Sequence, residues 1–217
     1  MKQWITSPEQ YKGLQKGRMN TAQQNLAANT AAFAGSEGKL LHGQGGETLK
    51  KLTYGKNSLS WCGCELIAVA NAMLLTGHSI PLPEIVFEFE MNKMQLLLPS
   101  GYFGTSPKKI RRYFEHKGVP FHSFKRVDEL ERYIADKDTV CGILSFWNRE
   151  IKGKGPGRLL FFTKGLHTVA FLKKHSSIYI YNRRNSASSA SKYDSISEVI
   201  GGRRFILSYV LDEDVKS

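Results

Sequence analysis

The segment Trp61-Cys62-Gly63-Cys64-Glu65 holds the residue best placed to act as a nucleophile. After it, Leu66, Ile67, Ala70, Met73 and Leu74 recur at intervals of one, three and four, which predicts a helix with one buried stripe. Cys64 then falls at or near the helix N-cap. Unpaired backbone N–H groups and the helix dipole at that point favour a thiolate over a thiol. Cys62 is the second thiol of the segment, two residues earlier, and Cys64 is preferred as nucleophile for its position against the apolar stripe. A C-x-C pair without a second Cys pair does not make a zinc site, and His42, His78, His116, His122 and His175 show no ligand spacing. No metal or other cofactor is assigned. Cys141, beside Val140 and Ile143, reads as core.

A thiol nucleophile needs a base, and the base needs a group to orient it. The run Leu166-His167-Thr168-Val169-Ala170-Phe171-Leu172 alternates as a strand. Lys173-Lys174-His175-Ser176 follows as a turn, then Ser177-Ile178-Tyr179-Ile180-Tyr181-Asn182 as a second strand. An even loop centred between Lys174 and His175 pairs positions whose numbers sum to 349, placing His167 opposite Asn182. Opposed side chains on one sheet face sit close enough for an Asn to fix an imidazole tautomer.

These residues need elements to hold them. Glu84–Glu90, Ser106–His116 and Asp128–Ala135 read as further helices, with Ile110, Tyr113 and Phe114 sharing a face. Pro99-Ser100-Gly101 is a turn. The segments Val140–Trp147, Leu159–Phe162, Leu166–Leu172, Ser177–Asn182 and Arg203–Leu211 read as strands separated by Gly- and Ser-rich turns. Helices before strands, with no βαβ alternation, predict an α+β fold with an antiparallel sheet. Residues 1–38, Ala-, Gln- and Asn-rich in their second half, read as a polar helical arm or linker, and 39–217 as the domain. Gly43-Gln44-Gly45-Gly46 lacks the Lys-Ser/Thr ending of a phosphate loop and reads as flexible. Gly153-Lys154-Gly155-Pro156-Gly157 reads as a hairpin connection or a lid. Tyr102, Phe103, Phe146 and Trp147 line a cleft or fill the helix–sheet interface.

The 217 residues are 41% hydrophobic and 23% charged, an ordinary globular balance, and no apolar run approaches the roughly 20 residues of a membrane span. Met1-Lys2-Gln3-Trp4 does not start a Sec signal, so any export is expected to use another route. Three cysteines do not make a disulfide scaffold, and free thiols point to a reducing, cytoplasmic site of action. Thirty-one Lys and Arg against nineteen Asp and Glu give +12, which draws the chain toward RNA, acidic proteins or anionic lipid.

The run Asn57 to Ala72, the Gly104-Thr105-Ser106-Pro107 segment before a helix ending in Tyr113-Phe114, the strand Ser145-Phe146-Trp147-Asn148 and the run Gly165 to Ala170 together resemble bacterial papain-like cysteine peptidases, including double-glycine-peptidase-like groups. The resemblance spans about residues 50–211. It implies a papain-like fold with Cys64 as nucleophile, His167 as base and Asn182 as third member, acting on a peptide or protein. It also implies a polar residue some six places before the cysteine in the oxyanion hole. Ser58 holds that position and Asn57 is the adjacent amide. Papain-like folds also serve as bacterial toxin domains, some attacking tRNA. With Lys173, Lys174, Arg183 and Arg184 expected near the site, the resemblance therefore carries a second expectation: an RNA-directed toxin bound by an acidic immunity protein. A third expectation is an inactive binding module.

Overall fold

The structure, a computed structural model, describes residues 4–10, 16–95, 104–150, 165–212 and 215. Pro8–Gln10 is a single 3-10 turn, and α1 (Lys16–Phe33) follows. The next elements are α2 (Glu47–Lys51), a two-residue hairpin of β1 (Thr53–Tyr54) and β2 (Asn57–Ser58), then α3 (Leu59–Cys62), α4 (Cys64–Leu75), α5 (Leu82–Met91) and α6 (Pro107–Lys117). The sheet half contains β3 (Phe121–Phe124), α7 (Val127–Ala135), β4 (Thr139–Glu150), β5 (Leu166–Lys174), β6 (Ser177–Tyr181), β7 (Ser191–Tyr193), α8 (Ile196–Ile200) and β8 (Arg203–Leu211). The six strands β3 to β8 form one antiparallel sheet in the order β3-β8-β4-β5-β6-β7. The fold is α+β. No described helix is long and apolar enough to cross a membrane.

Alternation along the strands gives the sheet two apolar faces. Cys141, Ile143, Ala170 and Tyr209 join α4, α5 and α6 in one core. Val140, Leu144, Phe146, Val169 and Phe171 face the other way, onto Leu130 and Ile134 of α7 and Ile196, Val199 and Ile200 of α8. The strand Leu159–Phe162, the turn at Pro99-Ser100-Gly101, the Gly153–Gly157 connection, Tyr102 and Phe103 lie outside the described residues. Phe146 is fully buried in the second core, and Trp147 is half-buried.

The helix α4 is buried nearly all round rather than along one stripe. Leu66, Ile67, Ala68, Val69, Ala72 and Met73 are all buried, whereas Ala70 and Leu74, expected within the stripe, are the partly exposed positions. The reason is packing on several sides: α4 lies against β4, β5 and α5 at once, which leaves only a narrow strip at Ala70 and Leu74 partly open to solvent.

The 1–38 segment, expected as a polar helical arm, contains α1, which lies along α5 through Met19, Ala22, Phe87 and Met91. Its polar side chains reach inward. Asn29 makes two hydrogen bonds with Thr53, donating to its carbonyl and accepting from its N–H, both at 2.8 Å. Asn25 Nδ2 donates to Gly55 O at 2.9 Å and to Glu90 Oε1 at 2.7 Å.

The β5–β6 register differs from expectation. Thr139 pairs with Lys174, which keeps Lys174 in the ladder and moves the two-residue turn on to His175-Ser176. His175 takes φ 54°, its N–H bonds Asp138 O at 2.7 Å, and its Nδ1 lies 2.8 Å from Asp138 Oδ1. The pairs therefore sum to 351, as in Ala170 with Tyr181, and His167 does not oppose Asn182 in the ladder.

Candidate active site

Cys64 is the first residue of α4, capped by Gly63, as the sequence spacing predicts. The thiolate expected from that placement does not follow. The sulfur is buried, and burial pushes the thiol well above its ordinary value; the adjacent Glu65 carboxylate adds to the push, and a hydrogen bond from Thr168 N–H only partly opposes it. Sγ lies 3.2 Å from Glu65 Oε2 and 3.8 Å from the carbonyl of Leu166. Cys62 ends α3 with its Sγ 3.5 Å from Ser58 O, and burial, then Glu65 and Glu90, push its thiol up to about 12. Cys141 is buried core, and none of the three cysteines is in a disulfide. Trp61, 74% exposed, is the large hydrophobic side chain that stands out into solvent beside this loop.

His167 stands one residue beyond the carbonyl that Cys64 touches. It pairs with Phe146 across the β4–β5 ladder, and the two rings meet edge to face with centroids 5.8 Å apart. Alternation puts Val169 and Phe171, and with them His167, on the face opposite α4. Cys64 and His167 thus flank one strand: the sulfur lies against its backbone, and the ring lies on its far face. Nε2 of His167 lies 2.9 Å from the backbone carbonyl of Asn182. Burial, aided by the charges of Arg183 and Arg203, pushes the imidazole down to about 4, so it is neutral at pH 7.

Asn182 leaves β6 in the left-handed region at φ 61° and is fully buried. Its Nδ2 donates to Gln44 Oε1 at 3.3 Å, while its Oδ1 is buried without a partner. Gln44 Nε2 in turn donates to Leu59 O at 3.1 Å and Ser60 O at 2.9 Å. A polar chain therefore runs from His167 through Asn182 and Gln44 to the loop that carries both thiols. The Gly43–Gly46 segment, expected as a flexible loop, is packed: Gly45 N bonds Asn185 O at 2.9 Å, and a Cβ on Gly43 would fall 2.5 Å from Ala187 O. The glycines were the signal, since they permit this close backbone approach. Asn57 lies half-buried in β2 opposite Tyr54, and Ser58 Oγ is 2.8 Å from Ser60 Oγ.

Glu65, which sequence reasoning passed over, is the most buried charged group at the site, at 1% exposed. Besides Cys64, it meets Thr105 N at 3.5 Å through Oε2 and Thr168 Oγ1 at 3.5 Å through Oε1. Thr168 Oγ1 continues to Ser145 Oγ at 2.9 Å, and Thr105 Oγ1 to Tyr54 OH at 2.9 Å. Burial pushes the Glu65 carboxyl up to about 7, although its own backbone N–H and its contacts to Cys64, Thr105 and Thr168 all pull it down. Lys173 and Lys174, expected beside the site, stand at the opposite end of β5, where Lys173 Nζ reaches Ala135 O and Lys137 O. Arg183 stays close, stacked 5.3 Å over Phe146. Among the described residues no group of three or more His, Cys, Asp or Glu is arranged to hold a metal. In comparison with known proteins, no family model and no curated protein matches this chain.

Proposed function

We propose that the chain is a cysteine-dependent hydrolase of acyl groups, peptide bonds foremost, with Cys64 as nucleophile and His167, held by Asn182, as its acid–base partner. The observation that carries this reading is convergence. Positions 64, 166–168 and 182, far apart in the chain, meet at one end of the sheet, linked by the Sγ contact to Leu166 and the imidazole contact to Asn182. A thiol at a helix start, an imidazole carried by the strand that the sulfur lies against and a neighbour fixing that imidazole are the parts that acyl transfer to sulfur needs. Both the thiol and the imidazole are neutral at rest. The reading therefore involves a thiol deprotonated during attack rather than a standing thiolate.

The test is capture by a library of peptidyl vinyl sulfones, which react with a thiol only when it is positioned and deprotonated at the electrophile. The modified residue is read by mass spectrometry. Capture at Cys64 that survives Cys62→Ser and is lost in His167→Ala supports the reading. A folded protein that no peptide electrophile modifies overturns it.

A second reading has one observation of its own: His167 is flanked by Arg183 and Arg203 on a chain of net charge +12. That pairing suits RNA cleavage, where imidazole and guanidinium matter more than the thiol. A Cys64→Ala variant that still cleaves tRNA, with His167→Ala inactive, would select it, and an acidic immunity protein would then be the partner to seek.

A further inference from the structure

Glu65 is a carboxylate placed where a carboxylate is costly. It is buried at the start of α4, and among the described residues every polar side chain or neighbouring N–H it touches is uncharged: the Cys64 thiol, the Thr105 N–H and the Thr168 hydroxyl. Among the described residues the titratable groups that act with it are Cys64 and Cys62 on its own stretch of chain and Tyr54 of β1 through Thr105, and Glu90 of α5 bears on the same Cys62 and Tyr54. None of these is a cation that would hold it permanently ionised. The surrounding backbone is shaped to it. Gly104 takes φ +78°, and a Cβ there would fall 3.0 Å from Glu65 Oε2 and 2.9 Å from Cys62 O. Only glycine brings Thr105 N–H this close without strain. A purely structural side chain at this position would be served as well by an amide or an apolar group.

Among the described residues the thiol can donate to Glu65 Oε2 and to a backbone carbonyl, and of these only the carboxylate can take a proton. His167 meanwhile has its Nε2 on Asn182 and its ring on the other face of β5.

We propose, resting on the hydrolase reading above for Cys64 as nucleophile and replacing His167 as the group that takes its proton, that the Cys64 proton goes to Glu65 and that Gly104, Thr105 and Thr168 form the socket that aims the carboxylate at the sulfur. In the step itself the Sγ–H bond breaks and an Oε2–H bond forms. The freed sulfur pair makes the Sγ–C bond to the acyl carbon, whose C=O π pair moves onto oxygen. On collapse the leaving group departs with the proton from Oε2. Water then cleaves the thioester, one of its protons returning to sulfur, so that thiol and carboxylate are restored. A carboxyl raised to about 7 is half ionised at neutral pH, which suits a group that takes and returns a proton.

The experiment is the rate of Cys64 alkylation by iodoacetamide between pH 5.5 and 9.5, read by mass spectrometry on the full chain. Wild type, Glu65→Gln, Glu65→Asp and His167→Ala are compared, each checked for folding by circular dichroism. Wild type is expected to rise through an inflection near pH 7. Glu65→Gln should lose that inflection and at least tenfold in rate at pH 7.5, Glu65→Asp should keep the inflection at an intermediate rate, and His167→Ala should keep it too. A folded Glu65→Gln that labels as fast as wild type, or faster, overturns the proposal, because Glu65 then only suppresses the thiolate. If Glu65→Gln does not fold, Glu65→Asp decides: loss of its inflection overturns the proposal and retention supports it. If the proposal falls while peptide vinyl sulfones still capture Cys64 in a His167-dependent way, only the proton assignment fails and the hydrolase reading stands. If no peptide electrophile captures Cys64, the hydrolase reading is what fails.

Discussion

The backbone carbonyl of Asn182, 2.9 Å from Nε2, holds the imidazole of His167, while the Asn182 side chain turns away to Gln44. The consequence is a separation of two roles within one residue. Replacing the side chain should spare the His167 contact and cut the link to the thiol loop. Asn182→Ala loses the Gln44 bond and places a Cβ residue less tolerant than Asn at φ 61°, so it should cost about 1–3 kcal/mol of stability. Asn182→Gly removes the same bond without the backbone strain and should cost roughly 1 kcal/mol less. Denaturant unfolding measures both, and the His167 titration followed by NMR should stay well below its ordinary value in each.

Stability against pH should show two opposed windows. Burial raises the carboxyls of Glu65 and Glu90 to about 7 in the folded chain. Their favourable contribution is complete below the unfolded value near 4.5 and is lost as pH rises through 7, on the order of 3 kcal/mol for each. His167, lowered to about 4, acts the other way: its contribution is present above 6.5 and is lost as pH falls toward 4. Glu90→Gln keeps an oxygen for Asn25 and Gly55 but cannot ionise. Its unfolding free energy should fall by about 2–3 kcal/mol less than that of wild type between pH 5 and pH 8.

The N-terminal helix should prove inseparable from the rest. Deleting residues 1–33 strips Phe87 and Met91 of their cover and leaves Glu90 without Asn25 and the Thr53 backbone without Asn29. Exposed apolar area and orphaned buried polar groups add, so the shortened chain should lose at least ~4 kcal/mol and populate unfolded forms at 25 °C. A truncated chain that melts with wild-type cooperativity and midpoint would show this packing to be dispensable.

Gly43→Ala tests whether the loop carrying Gln44 is as closely packed as it stands. A methyl group there meets three backbone atoms of Asn185 and Ala187 within 2.9 Å, none of which is the flexible end of a side chain. The expected loss is about 1–3 kcal/mol, whereas Gly35→Ser, in open space, is strained only by its backbone at φ +80° and should cost less.

The sequence conveyed the kinds of element better than their register. The Cys64 helix start, the α+β order and the bounds of β8 were legible because apolar periodicity and Gly/Pro punctuation are local signals. The β5–β6 turn was displaced by one residue because what sets it, the Thr139–Lys174 pair and Asp138 beneath His175, lies on a third strand. Short elements such as β3, β7 and α8 lacked the length for a period to show. Glu65 and Gln44 escaped for a different reason. A polar residue next to a cysteine or between glycines reads as solvated until tertiary packing buries it, and that burial is non-local information.

The place of β8 between β3 and β4 has a bearing on how the chain is made. Among the described residues β3 finds a partner in the sheet only through β8, about 80 residues later, and one long edge of β4 is open until then. During vectorial synthesis, most of the sheet's polypeptide leaves the ribosome before the strand that joins it. Closure of long-range antiparallel pairs is slow, and open edges invite pairing with other chains. Nascent molecules should therefore engage chaperones until residues 203–211 emerge and close the gap.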